Sequence, residues 1–450
     1  MTEKTNLTES YDFIAIGVGP MNLGLACLTE PIKELNGIFL DQRSHFDWHP
    51  GMLLQDTTLQ IPFIADLVTL ADPTSPFSFL KYLKEQGRIY SFYIRENFLV
   101  LRNEFNLYCQ WAISKLRNIY FDTEVVGITY SKEQNGYAVS TRSTRTGECQ
   151  IFYSKKLILG TGHQPYIPHC CKNIGQYAIH SSSYLNHKPQ LQAKKSITII
   201  GSGQSAAEIF YDLLQDIDTA GYELHWITRS PRFFPLEYSK LTLEMTSPEY
   251  VDYFFDLPAE KKDFLNQHQK HLYKGINQEL IANIFDLIYT KKLTHTVNIG
   301  LRTNCEVQDV QHDTALEKLY LDIHQTEQDK HYSHQTEGLI LATGYSYRLP
   351  KFVEGIRDRI RWDKKGRYAV HRNYTIDHDG TDIFVQNAEL HTHGFVSPDL
   401  GMASYRNSYI IRELTGTEYY PIESRISTQT FGVSEAEEVQ VRNSVQKSEC

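Results

Sequence analysis

The chain has 450 residues, 41% hydrophobic and 22% charged, with 45 Lys and Arg against 54 Asp and Glu for a net charge of −9. That balance, with no basic block, argues against a nucleic-acid partner, and no apolar run approaches the ~20 residues of a membrane span. Residues 1–10 are polar and lack the apolar centre of a secretory signal, so a cytoplasmic location is expected.

The length predicts two or three domains with sizeable cores. The 7 cysteines are scattered and form no CxxC, which excludes a disulfide framework and a dithiol redox centre. Cys170 and Cys171 are adjacent in a loop and read as incidental. His391 and His393 make an HxH without a third ligand at suitable spacing, so no metal site is expected.

In chain order, residues 11–25, YDFIAIGVGPMNLGL, read as strand, tight turn and helix. Gly17 permits the turn, Gly19 lets backbone approach a pyrophosphate, and the helix opening at Pro20 offers its positive end to that anion. The third glycine position of the fingerprint is Asn22. The next strand, GIFLD, ends in Asp41, the acid expected on ribose hydroxyls. In FDWHPGMLL (46–54), Trp48 and His49 flank a Pro-Gly turn and either line a flavin ring or pack a loop. Residues 77–117 read as mainly helical and 119–140 as strands, and LILGTG (157–162) is a strand running into glycines.

A second fingerprint follows: ITII (197–200) is a strand, GSGQSAAE (201–208) the turn, and Ala206, Ala207, Ile209, Phe210, Leu213 and Leu214 one helical face. The strand after it ends in Thr228-Arg229-Ser230-Pro231-Arg232, where Arg229 and Arg232 suit a ribose 2′-phosphate and so NADPH over NADH. Residues 233–292 read as helices joined by turns. GLILATGY (338–345) echoes LILGTG, DIFVQN (382–387) is a final strand, and 402–414 a helix. The two echoes predict an α/β fold of two Rossmann-like domains, one interrupted by the other. The first would span 1–190 and 338–422, the insert 191–337, and the polar segment 423–450 would lack structure. Two such domains pair a flavin with the pyridine nucleotide that reduces it. Paired cysteines being absent, a reductase serving a protein partner and a monooxygenase both remain open.

The strings GVGPMNL, FDWHPGMLLQDTTLQIPF, LGTGHQPYIP, GSGQSAAE, TSPEYVDYF, LATGYSYRLP and HTHGFVSPDLGMASYRNS run through nearly the whole chain. With them the chain resembles the microbial N-hydroxylating flavin monooxygenases of hydroxamate siderophore biosynthesis. The resemblance implies a three-layer flavoprotein monooxygenase architecture, FAD in the outer domain, NADPH in the insert, and a dimer or tetramer. It also implies N-hydroxylation of a primary amine with O2 by way of a flavin hydroperoxide. Carried over, Gly17, Gly19, Pro20 and Asn22 lie at the FAD pyrophosphate and Asp41 at the ribose. Trp48, His49 and Met52 fall in the segment covering the isoalloxazine, and Gln60 lies at the flavin edge. Gly201, Gly203, Gln204 and Ser205 match the NADPH turn, and the backbone of His393-Gly394 would touch the flavin. Asn277, in KGINQELI, matches an asparagine that meets substrate and nicotinamide; Gln60 and Asn277 are expected to position the reacting groups.

Two departures bear on substrate. Where lysine and ornithine hydroxylases resemble QxxFLKDL, with a lysine gripping the substrate carboxylate, this chain reads QIPFIADL with Ala65 in that place. Where they carry Leu-Ser, it has Leu400-Gly401. A carboxylate buried without a partner is heavily penalised, so a decarboxylated amine is expected: putrescine, cadaverine or histamine. The alternatives are a lysine or ornithine hydroxylase and, in another class, an NADPH-dependent flavin reductase.

Overall fold

The computed structural model describes residues 10–434 and 436–438. Its first unit contains β1 (Ser10–Ile16), β2 (Gly37–Leu40), β3 (Thr58–Pro62), β4 (Leu99–Leu101), β5 (Ile119–Tyr120), β6 (Thr123–Ser131), β7 (Gly136–Ser143) and β8 (Cys149–Leu159). The main sheet runs β5-β2-β1-β8-β7-β6. Along β1 the side chains alternate between two cores, Phe13 and Ala15 on one face and Ile14 and Ile16 on the other. A parallel strand covered on both faces needs such an unbroken apolar run. In register, Ile16 lies beside Leu40 of β2 and Leu159 of β8, so Gly17, Asp41 and Gly160 meet at the carboxyl ends of three strands.

The chain then leaves through β9 (Gln164–Pro165) and builds a second, all-parallel sheet from β10 (Ala178–His180), β11 (Ser196–Ile200), β12 (Glu223–Ile227) and β13 (Ile299–Arg302). Next come β14 (Cys305–Asp313), β15 (Lys318–Gln325) and β16 (Lys330–Thr336), a three-stranded antiparallel layer, and β17 (Gly338–Leu341). The second sheet has the order β10-β17-β11-β12-β13. After β18 (Tyr345–Ser346), which pairs with β9, the chain returns to the first sheet, where β19 (Ile383–Val385) lies parallel to β8.

This order corrects the expected division. Residues 338–341 were expected to open the return to the first unit but lie inside the second sheet, as do residues 178–180, assigned above to the first unit. The echo between 157–162 and 338–344 is the same strand of two similar units: β8 stands beside fingerprint strand β1, and β17 beside fingerprint strand β11. The crossings sit at the β9–β18 pair rather than near 190 and 338.

Residues 423–434, expected to lack structure, are held by side chains. Glu249 accepts the backbone N–H groups of Ile426 and Ser427, and Glu244 those of Thr428 and Gln429. Phe431 packs edge-on against Tyr250, with centroids 5.2 Å apart. Two carboxylates thus take up N–H groups that have no strand partner. Residues 439–450 lie outside the described residues. Among the described residues no helix is long and apolar enough to cross a membrane. Replacing Glu244 by Ala should expose 423–434 to limited proteolysis, cutting there several-fold faster while the rest of the chain stays resistant.

Candidate active site

One cleft of about 2940 Å³ separates the two units and is lined by both glycine turns. At the first, Gly17 has φ +90° and a Cβ there would lie 2.4 Å from the Gly160 carbonyl oxygen, so glycine is required. A Cβ on Gly19 would meet nothing within 4 Å and would protrude where a pyrophosphate must approach. Gly19 caps the helix Pro20–Thr29, whose first residues, Pro20 and Met21, line the cleft and so turn the positive end of its dipole towards it. Asp41 accepts the Val18 N–H at 2.7 Å through Oδ2 and the Arg43 backbone N–H at 2.8 Å through Oδ1. Arg43 also bonds both oxygens through its guanidinium. Asn387 follows β19 on the same wall, and its buried Oδ1 has no hydrogen-bond partner among the described residues. An open glycine turn, a helix N-terminus, an acid and a free amide acceptor fit FAD.

The second turn repeats the arrangement. Gly201 (φ +150°) would place a Cβ 2.2 Å from the Ala342 carbonyl oxygen, and Gly203 caps the helix Gln204–Gln215. Gly201, Gly203, Gln204 and Ser205 all line the cleft. Arg229 lines it too and is largely exposed, its nearest ion-pair partner being Glu306 at 3.6 Å. This set fits NADPH. Each turn has its first glycine carbonyl held by a side chain: Gly17 O accepts from Asn22 Nδ2, and Gly201 O from Trp226 Nε1, both at 2.7 Å.

Several expected contacts fall elsewhere. Asn22 is fully buried away from the cleft, bonded to Gly17 O and, through Oδ1, to Gln386 Nε2 at 2.8 Å; it braces the turn instead of touching a ligand. Met52 is buried among Tyr184, Leu191 and Ala207 in the core of the second unit. Arg232 stacks its guanidinium 4.6 Å over Phe234 and does not line the cleft. His393 is buried against Tyr374 and bonds the Arg372 carbonyl, while Gly394 abuts the Phe254 ring; Phe395, next in the chain, reaches the cleft. Trp48 and His49 do line it. His49 is exposed to the cleft, yet the desolvating protein around it, then the charges of Arg102 and Arg43, bring it down to about 4, so the ring is neutral near pH 7.

Gln60 and Asn277, far apart in sequence, are joined: Asn277 Nδ2 donates to Gln60 Oε1 at 2.9 Å. Asn277 also caps the helix Gln278–Thr294 through Oδ1, and its backbone N–H donates to Gln204 Oε1 at 2.7 Å. Gln204 Nε2 in turn donates to Glu208, which receives two 2.7 Å bonds from Arg102. Tyr238 donates its hydroxyl to the Gln60 carbonyl. The relay spans the cleft from one unit to the other. Arg43, Arg102, Glu208, Tyr238 and the cleft-lining Lys274 were not foreseen as site residues. Only Arg43 carried a local signal, sitting two positions after the ribose acid.

Beyond this bridge the wall is made by Ala65 and Gly401. A Cβ built on Gly401 would lie 3.8 Å from the Ala65 Cβ, so the two departures from the amino-acid hydroxylase pattern face each other. Neither offers a group for a carboxylate. Asp399, unforeseen in the sequence, completes the wall, its Oδ1 accepting the Gly401 N–H at 2.7 Å.

The family model described as L-lysine 6-monooxygenase/L-ornithine 5-monooxygenase matches residues 9–347. The chain is 52% identical over 421 residues to a putrescine N-hydroxylase of Shewanella oneidensis, covering 94% of this chain and 84% of that protein. It is similar, at 56% identity and a TM-score of 0.93, to the FAD-bound cadaverine monooxygenase of desferrioxamine biosynthesis from Erwinia amylovora, covering 95% of this chain and 99% of that one. An ornithine N-hydroxylase from Kutzneria, with reduced FAD, NADP+ and L-ornithine, superposes with a TM-score of 0.83 at 25% identity, covering 90% and 99%.

Two outcomes follow from the relay and from His49. Arg102→Met leaves Glu208 buried and unpaired and should lower stability by about 3–5 kcal/mol; adding Glu208→Leu should recover most of that loss in denaturant unfolding. His49 is held neutral in the fold but free to protonate when unfolded, so it favours unfolding below its ordinary value of 6.5 and has no effect above it. Melting temperature should fall as pH drops from 6.5 towards 4, with a shallower slope in His49→Gln.

Proposed function

The chain belongs to the L-lysine 6-monooxygenase/L-ornithine 5-monooxygenase family, and from that premise we propose that it N-hydroxylates a primary amine of a small diamine of the putrescine or cadaverine type. The observation that carries the substrate is the apposition of Ala65 and Gly401: where an α-amino acid head needs a cation and a hydroxyl, this wall has a methyl group and a hydrogen. A carboxylate there would be desolvated without compensation. The named activities of the putrescine and cadaverine relatives agree with that reading.

Gly17, Gly19, Asp41 and Asn387 would hold FAD, and Gly201 to Ser205 with Arg229 would hold NADPH. Bound there, FAD and NADPH would supply the two electrons and the O2 chemistry by which one oxygen atom is inserted into the amine and the other leaves as water. The protein's own work is placement and dryness. The Gln60–Asn277 pair presents neutral amides at the centre of the cleft, where the amine must give up its proton to become a nucleophile. A neutral lining that excludes water lowers an amine's pKa and leaves the lone pair free. The relay through Gln204 ties the position of Asn277 to the NADPH turn, so substrate and nicotinamide sites are set against each other by a fixed frame.

We place the enzyme in the cytoplasm, at the amine-hydroxylating step of hydroxamate siderophore assembly, as a dimer or tetramer. Tyr90, Tyr93, Ile94 and Phe98, each more than two-thirds exposed, form an apolar patch of the kind that oligomers cover.

The test is hydroxylated product, measured with NADPH consumed, from FAD-loaded protein given putrescine, cadaverine, histamine, lysine or ornithine. Diamines should give product and the amino acids little; product mainly from lysine or ornithine would overturn the substrate, and NADPH oxidation without product would point to a reductase. Gln60→Ala should keep FAD yet release several-fold more hydrogen peroxide per NADPH, because the Asn277 amide loses its partner.

A further inference from the structure

A diamine carries two nitrogens, and the Gln60–Asn277 pair accounts for only one. The other, away from the reaction, remains an ammonium in water and must either stay solvated or meet an anion inside the cleft. Asp399 stands on the Ala65–Gly401 wall and lines the cleft. Its Oδ1 is used by the Gly401 N–H, and no ion pair to it forms among the described residues. The arginine whose charge reaches it, Arg406, is already committed to Glu389 at 2.9 Å and to the Ser397 carbonyl at 2.6 Å. Tyr238 lines the same cleft and donates to the Gln60 backbone carbonyl, and burial, then the Asp399 charge, push its hydroxyl up.

Resting on the diamine reading above, we infer that the Asp399 carboxylate binds the distal ammonium of the substrate and is the group that selects diamines over monoamines. The same two positions that lack partners for a carboxylate, Ala65 and Gly401, leave space beside Asp399 for a cation. The Gly401 N–H fixes the carboxylate in a short turn, so little side-chain freedom is lost on binding. Burial holds the carboxyl above its usual range, against the opposing pull of the Gly401 N–H and Arg406. An arriving ammonium relieves that strain by supplying the missing charge. With Asp399 and the Gln60–Asn277 amides both on the cleft lining, the charged nitrogen is drawn to Asp399, and the nitrogen at Gln60 and Asn277 is the one that loses its proton. An α-amino acid in that orientation would bring its carboxylate against Asp399, and the like charges would repel each other.

The experiment compares putrescine with 1-aminobutane, and cadaverine with 1-aminopentane, by hydroxylated product formed by the FAD-loaded full chain. In the unmodified enzyme the monoamine KM should exceed that of the matching diamine by about 10- to 100-fold, the worth of one charge-assisted hydrogen bond. Asp399→Asn should raise the diamine KM by a similar factor and change the monoamine KM little, erasing the preference; Asp399→Glu should restore part of it. Flavin absorbance per chain reports folding of each variant. Equal KM values for diamine and monoamine in the unmodified enzyme overturn the inference even if the variants do not fold, as does a preference that survives Asp399→Asn. If the unmodified enzyme makes no product from any diamine, the substrate reading itself has failed.

Discussion

The buried ion pair between Arg102 and Glu208 is the interaction on which the geometry of the cleft depends. Arg102 begins a helix of the first unit, and Glu208 lies on the helix that opens at the second glycine turn. Two bonds of 2.7 Å hold a planar guanidinium against a carboxylate that is only 3% exposed. Replacing such a pair with apolar residues is often neutral for stability, but breaking one half is costly. Its contribution here is registration: Glu208 also fixes Gln204, Gln204 fixes Asn277, and Asn277 meets Gln60 on the opposite unit. A displacement of either unit would have to break this chain of bonds, and each break would leave a polar group unsatisfied in a poorly solvated place.

The two units are built by the same local logic. In each, a fingerprint strand lies between the strand that follows its helix and a strand that ends in Thr-Gly, β2 and β8 in the first, β12 and β17 in the second. Both turns carry a glycine whose Cβ would strike the carbonyl of that Thr-Gly strand's end, Gly160 or Ala342. The side chains securing the turns differ, a buried asparagine in one and an indole in the other. Asn22 thus takes the place where a glycine usually allows close helix–strand packing, and compensates by bonding across to Gln386 near the end of β19.

That duplication explains what the sequence made legible and what it hid. The two glycine turns at the mouths of β1 and β11, and the placement of Asp41 and Arg229 beside the cleft, were legible because each is a short-range pattern of strand, glycines and helix. The crossings were not, because an apolar strand ending in Thr-Gly looks alike in either unit and its neighbours are set by long-range pairing. Asn22, Met52, His393 and Gly394 lie within recognisable strings, but a string does not tell which of its members faces the cleft. Met52 points into the second unit's core while His49 faces the opening. The relay was invisible for a simpler reason: Arg102 and Glu208 are 106 positions apart, and Gln60 and Asn277 are 217 apart. The hold on residues 426–429 by Glu244 and Glu249 was hidden in the same way.

The charges that remain are arranged in zones, and the zoning matches the chemistry. Arg43 and Arg229 stand beside the two nucleotide turns, where phosphates need cations, and Lys274 lies on the same cleft wall. Where Gln60 and Asn277 meet, the pair contributes dipoles without net charge, and the nearby His49 ring is kept neutral by desolvation and by the charges of Arg102 and Arg43. A fixed anion at the centre would keep an amine protonated and unreactive, whereas a fixed cation would keep the protonated amine out altogether. Asp399, a carboxylate of the Ala65–Gly401 wall, is held by the Gly401 N–H and has no hydrogen bond to the Gln60–Asn277 pair. Attraction for a dication and reactivity of a neutral nitrogen make opposite demands on the field. On the proposed diamine reading, the cleft would meet both by assigning them to different residues, the anion to Asp399 and the neutral amides to Gln60 and Asn277.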